Sequence, residues 1–239
     1  MKTKDIIISF ICVALGGIAR VIYCWKYPVP VRDAFRYKSF IAQWIDSGII
    51  PEGTYFPPLG LYLLKIPGSL CGYDIMKGGI VVNMILGLCI ILILIKISSC
   101  LYPSALSALC TGLLAAGHPT LIQYSCQMTR ENTYLFFSCL AVLFTIKNSF
   151  SSCYCFILLV SLFSAAAFLC RFEALELVPL VNLLIFLNRK KNIADKFRQS
   201  FLYNSFYIIF FNAIIYLIHV QITYFLDYTY LKKFMPFIN

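Results

Sequence analysis

About seven apolar runs, joined by short connections everywhere but once, leave this chain few ways to fold. They read Ile6 to Cys24, Gly79 to Ile97, Pro103 to His118, Asn132 to Ile146, Cys153 to Cys170, Phe172 to Leu187 and Leu202 to Leu226. As helices, most of them approach the thickness of a bilayer core. Composition agrees: 61% of the 239 residues are hydrophobic, 13% are charged and the mean hydropathy is +0.83. Soluble domains lie nearer about half apolar and about a quarter charged. The expected fold is an all-α polytopic membrane protein of about seven transmembrane helices, one membrane domain over residues 1–239.

The third and fourth runs are short, and Pro119 between them favours a break, so they are expected to form a hairpin rather than one long helix. The first run has features of a signal peptide, with Lys2 and Lys4 ahead of it and Ala14, Gly16 and Gly17 near its end. Its apolar character continues past Arg20 through Val21-Ile22-Tyr23, so it is expected to stay as an anchor. Lys2, Lys4, Lys96, Lys147 and the Arg189-Lys190-Lys191 cluster with Lys196 and Arg198 fall on one side. The positive-inside rule makes that side, with the N-terminus, cytoplasmic in a cell or inner membrane. The other side also collects arginines, among them Arg20, Arg32, Arg36, Arg130 and Arg171, an excess that an anionic ligand would explain.

A net charge of +10 would suggest nucleic acid as a partner of a soluble protein. Here the charge is divided across a membrane, nucleic acid is not expected, and anionic lipid headgroups account for the cytoplasmic cluster. Of the 11 cysteines, Cys12, Cys89, Cys110 and Cys139 lie inside apolar runs, where a thiol packs as a small hydrophobe. No cysteine or histidine spacing suits a metal, and His118 before Pro119 reads as a span-end residue. Cys24, Cys71, Cys126 and Cys170 fall near one predicted face, which leaves one bridge open without defining it.

The exception to the short connections is a polar interlude between the first and second runs, residues 25–77, placed outside by the orientation above. From Asp33 to Ser47, Tyr37, Phe40, Ile41, Trp44 and Ile45 recur at helical spacing between polar residues, which predicts an amphipathic helix at the interface, ended by Gly48. Asp33 at its start reads equally as an N-cap and as a catalytic carboxylate. Pro57-Pro58 then opens a short apolar helix, Leu59 to Ile66, closed by Pro67-Gly68. Elsewhere, Arg171 with Glu173 and Glu176 brings three ionisable residues to the end of an apolar run. The two glutamates share a helix face, so both are placed to pair with Arg171 or to line a cavity. Arg20 reads equally as a residue snorkelling to the interface, and Arg130 and Glu131 as ordinary loop charges.

The order of these residues resembles the GT-C superfamily of integral membrane glycosyltransferases, in particular the family 39 protein O-mannosyltransferases and the lipid A aminoarabinose transferases. The shared pattern starts with Arg20, then Asp33-x-x-x-Tyr37, Ala42, Gly48 and Tyr55-Phe56-Pro57-Pro58-Leu59. It continues with Asn83, Pro119, Ser125, Arg130-Glu131-x-x-Tyr134 and Arg171-x-Glu173. The resemblance implies a GT-C-like fold and inverting transfer of a sugar from a polyprenyl-phosphate donor to an acceptor hydroxyl on the non-cytoplasmic face. It implies Asp33 as the catalytic base and Glu131 as a second catalytic acidic residue. Arg20, Arg32 and Arg171 become phosphate contacts, since guanidinium matches phosphate oxygens in a bidentate manner, with Tyr37 and Glu173 in support.

The pattern departs from the aminoarabinose transferases at Phe56, where those enzymes carry a lysine. It also covers only the conserved front module, so the C-terminal module is expected to be absent and a second membrane chain is an expected candidate to supply it. The donor is expected to be a lipid-linked sugar, with a divalent metal left open. Sugar and acceptor are not readable. The alternative is a non-catalytic membrane protein, transporter-like or flippase-like or an inactive half of a glycosyltransferase, but its ionisable residues gather at one edge and no internal repeat is found.

Overall fold

The computed structural model describes residues 3–27, 29–47, 59–71, 74–150, 154–188 and 191–218. These residues form helices α1 (Thr3–Lys26), α2 (Arg32–Ser47), α3 (Leu59–Cys71), α4 (Ile75–Leu101), α5 (Ala105–Gly117), α6 (Pro119–Ser125), α7 (Glu131–Phe150), α8 (Cys155–Phe168), α9 (Leu177–Leu187) and α10 (Ile193–Ile218). A 3-10 turn, Phe172–Glu176, leads into α9. The protein is all-α, as expected.

Ile6–Lys26 of α1 and the whole of α4 are long and apolar enough to cross a membrane. At 1.5 Å per residue α4 extends about 40 Å, more than a hydrocarbon core of about 30 Å. Helices α5 and α6 qualify together as one span, bent by 57°. The bend falls at His118, directly before Pro119, whose ring and missing N–H interrupt the hydrogen-bond ladder. The described parts of the other apolar runs are also helical, the sixth after its 3-10 start and the last as far as Ile218. Two spans, or three with the bent pair, meet the length and apolarity requirement among the described residues, so the count of seven stands as an expectation.

Helices α1, α4 and α5 pack as one group and α7, α8, α9 and α10 as another, and α4 against α7 joins the two. Buried Cys12, Ile91, Ile95, Ala108, Ala115 and Ala116 fill the first group. Ile157, Val160, Val181, Ile185 and Tyr203 fill the second. Gly112 sets the spacing in the first: a Cβ there would lie 2.5 Å from Cys12 Sγ and 2.9 Å from Ile95 Cδ1, so only glycine allows α5 so near its neighbours. The hairpin expected of α5 and α7 does not form. α6 and the turn at 126–130 carry the chain across, and α7 packs on α4 and α8 instead.

The interlude builds a platform. Helix α2 buries Ala34, Tyr37, Ile41 and Trp44, one helical stripe, against Leu61 and Leu64 of α3, Met76 of α4 and Met128. Full burial of side chains such as Ile41 and Trp44 stabilises by roughly 1.5–3 kcal/mol each. Two boundaries differ from expectation. α2 begins at Arg32, so Asp33 sits inside the first turn rather than at the cap, and the Ala34 N–H donates to the Val31 carbonyl at 3.0 Å. α3 continues through Pro67-Gly68 to Cys71, because a proline removes one donor without preventing the ladder from resuming. Tyr55, Phe56 and Pro57-Pro58 lie outside the described residues.

Candidate functional site

The site is organised by the turn between α6 and α7. Asn83, fully buried in α4, donates through Nδ2 to the carbonyls of Gln127 (2.6 Å) and Thr129 (2.8 Å). Asn132 donates back to the Asn83 carbonyl at 2.5 Å and to Ser125 Oγ at 3.3 Å. An amide buried among apolar helices has to find such partners, and here it ties down a turn that lacks a ladder of its own. Gln127 extends the tie, since its Oε1 accepts from the Val31 N–H at 2.9 Å. The start of α2, with Arg32 and Asp33, is thereby fixed against the start of α7, with Arg130 and Glu131. A third tie runs from the Leu59 N–H to the Leu169 carbonyl, 2.9 Å, and brings the start of α3 to the segment that carries Arg171.

Tyr37, one turn after Asp33, is the centre. Its ring lies under the Arg130 guanidinium, 5.3 Å from the centroid, and its hydroxyl is hydrogen-bonded to Arg130. Burial pushes the Tyr37 phenol above its ordinary value, Arg130 opposes that shift, and the nearby charges of Glu131 and Asp33 add to it. Tyr37 therefore feels groups from α2 and from the start of α7. Gly60 makes room for the arginine: a Cβ there would lie 3.1 Å from Arg130 Cγ and 3.2 Å from Thr133 Oγ1.

Arg171 stands between two carboxylates. Its Nε and Nη2 form a fork with Glu173 (3.1 and 2.5 Å), and its Nη1 is paired with Glu131. The carboxylates hold the guanidinium above its ordinary range, and Arg171 in turn holds the Glu173 carboxyl below its own. Glu131 keeps one open valence, because its Oε2 is buried without a hydrogen-bond partner among the described residues. Glu176 does not join Arg171. It accepts from the Tyr134 hydroxyl of α7 at 2.9 Å instead, although the 3-10 turn from Phe172 to Glu176 keeps Glu173 and Glu176 on one face.

Of the residues expected to act, the structure gathers Asp33, Tyr37, Glu131, Arg171 and Glu173. Arg32 is exposed beside Asp33 at the start of α2. Arg20 lies elsewhere, fully buried where α1 meets α4, with Nη1 donating to the Gly16 carbonyl at 2.9 Å. It is not snorkelling. Its Nε and Nη2 have no hydrogen-bond partner among the described residues. Sequence reasoning missed Gln127 and Asn132, and it placed Arg130 in the shared pattern, with a loop charge as the alternative, but gave it no role in the site. The one local signal was the density of amides and hydroxyls from Ser125 to Thr133 between two apolar helices. Among the described residues no group of three or more His, Cys, Asp or Glu side chains is placed to hold a metal.

No curated protein and no solved structure matches the chain. The family model described as dolichyl-phosphate-mannose-protein mannosyltransferase matches residues 56–219. That stretch includes Asn83, Gln127, Arg130, Glu131, Arg171 and Glu173, while Arg20, Arg32, Asp33 and Tyr37 precede it. With most of its length and the gathered α7 and Arg171 side of the site inside the match, this integral membrane protein belongs to the dolichyl-phosphate-mannose-protein mannosyltransferase family, a GT-C-type glycosyltransferase family.

Proposed function

We propose that the protein transfers a sugar from a polyprenyl-phosphate donor to an acceptor hydroxyl, on the non-cytoplasmic face of a multi-pass membrane domain whose N-terminus is cytoplasmic. The acceptor oxygen attacks the anomeric carbon while Asp33, exposed on the first turn of α2, takes the hydroxyl proton. The bond from anomeric carbon to phosphate oxygen breaks, and the lipid phosphate leaves with the electron pair. Cations already in place then meet the developing charge, which favours the transition state over the ground state.

The observation that carries this reading is the convergence around Tyr37 of an exposed carboxylate, two guanidinium groups and a carboxylate with an open oxygen, from three segments far apart in sequence. Arg32 and Arg171 are the phosphate contacts beside Asp33. Arg20 is a deeper one, since two unpartnered N–H groups suit a phosphate, and access to it requires α1 and α4 to part. Glu131 Oε2 accepts from a hydroxyl of the sugar or of the acceptor. The acceptor half of the site is supplied either by this chain or by a second membrane chain, and a divalent metal bound with the donor phosphate is compatible with the scheme.

The test is transfer from a lipid-linked sugar by membranes containing the Asp33→Asn variant. Loss of transfer with normal protein level is expected, and transfer at the unaltered rate would remove Asp33 from its role.

A further inference from the structure

We infer that Cys24 and Cys126 are a redox-active dithiol pair that closes to a disulfide, stapling the end of α1 to the turn that precedes Arg130. Cys126, directly after α6, is buried, and its thiol donates to the Arg20 carbonyl at 3.2 Å. In an α-helix the carbonyl of residue 20 is the acceptor for the N–H of residue 24, so the two cysteines meet at one turn of α1. Both cysteines are unbridged. Both also line one pocket of about 100 Å³, with Tyr27, Pro30, Ile80 and Gln127. Cysteines that meet at one helical turn and line the same small pocket are placed to close to a bridge, whereas cysteines pointing apart are not.

Unequal exposure orders the chemistry. Cys24 is half-buried and Cys126 is buried, so an oxidant entering the pocket reaches Cys24 first. With oxidised glutathione as the disulfide donor, the Cys24 thiolate attacks one glutathione sulfur, the glutathione disulfide breaks, and one glutathione thiolate leaves. The Cys126 thiolate then attacks the Cys24 sulfur of the mixed disulfide and expels the second glutathione. Two protein thiols are oxidised, one glutathione disulfide is reduced to two thiols, and the cysteine protons pass to the departing thiolates. The pair goes beyond the glycosyl-transfer reading and does not depend on it. Its position gives it a consequence for the site, because Gln127, next to Cys126, is the residue that holds Val31 and the start of α2.

The experiment equilibrates the full chain, purified in lipid nanodiscs, with reduced or oxidised glutathione, blocks free thiols with N-ethylmaleimide, and maps cysteine peptides by mass spectrometry. A peptide joining Cys24 to Cys126 is expected, at least about tenfold more abundant in the oxidised buffer and removed by dithiothreitol. Cys24→Ser should abolish it, and Cys139→Ser should leave it. Should either variant fail to fold, the peptide map of the unaltered chain still decides. Full alkylation of both Cys24 and Cys126 in the oxidised buffer, or bridging of either to a different cysteine, would overturn the assignment.

Discussion

The two ends of α7 each carry a polar cluster centred on basic side chains, about 25 Å apart by helix rise, and they use those cations in opposite ways. At the far end, Lys191 Nζ donates to the Asn148 carbonyl and to Gln199 Oε1, both at 3.0 Å, and Asn148 Nδ2 donates to Gln199 Oε1 at 3.1 Å. Lys196 Nζ likewise donates to the Phe186 carbonyl at 2.9 Å. Those carbonyls belong to the last turns of α7 and α9, where a helix leaves acceptors unsatisfied and its dipole favours a cation. The cluster closes helix ends. At the near end, Arg130 and Arg171 meet a phenol and two carboxylates, and Glu131 retains an open oxygen. A cation spent on a helix carbonyl holds the fold together, whereas a cation held among carboxylates can exchange one anion for another.

The comparison breaks most sharply on activity. Asp33→Asn is expected to lower transfer by about 10²–10⁴-fold, while Lys191→Met leaves transfer per folded molecule unchanged. If both variants lose transfer equally, the far cluster is also part of the site. Arg171→Met should follow, with a loss on the order of 10²-fold in kcat, and it should also release Glu131 and Glu173 from their pairing, visible as chemical-shift changes of labelled glutamates.

Stability separates the ends in the other direction. Lys191→Met should destabilise the purified protein by roughly 1–3 kcal/mol, because the Asn148 carbonyl loses the Lys191 donor and Gln199 Oε1 keeps only Asn148 Nδ2. This is read as a lowered Tm in thermal unfolding. Tyr37→Phe keeps the ring under Arg130 and removes only the hydroxyl, so a cost of about 1 kcal/mol is expected. An unchanged Tm would show that stacking alone positions Arg130.

The smallest effect is with acid. Arg171 holds the Glu173 carboxyl below its ordinary 4.5, so near that pH the unfolded chain binds more protons than the folded one. The stabilisation from this pair is complete above about 4.5 and drains as the pH falls through the lower folded value. Glu173 is more than half exposed, and solvent screening keeps the contribution to about 1 kcal/mol or less. Chemical denaturation across that window should show the slope, and Glu173→Gln should flatten it.

Helix α2 was legible in advance because its stripe of Tyr37, Ile41 and Trp44 repeats at the period of the helix itself. The break at Pro119 was legible for the same local reason, a missing donor. The partners of Arg171 were only half legible. Glu173 is two residues away, but Glu131 is on another helix, and Glu176 is taken by the hydroxyl of Tyr134, which α7 brings to it. Arg130 stood in the shared pattern without a partner, because nothing in its own neighbourhood calls for a tyrosine. Gln127 was invisible, since a glutamine in a polar turn is unremarkable until the Val31 N–H arrives from a distant segment.

By itself the sequence determined the all-helical class, the placement of most helices and the amphipathic platform, because hydropathy and periodicity are properties of neighbouring residues. Tertiary structure alone decided which charges neutralise each other, which guanidinium lies buried and which thiols share a pocket. Those outcomes depend on bringing α1, α2, the 126–130 turn and the Arg171 segment to one place, and a pairing energy exists only once the segments that share it are packed together.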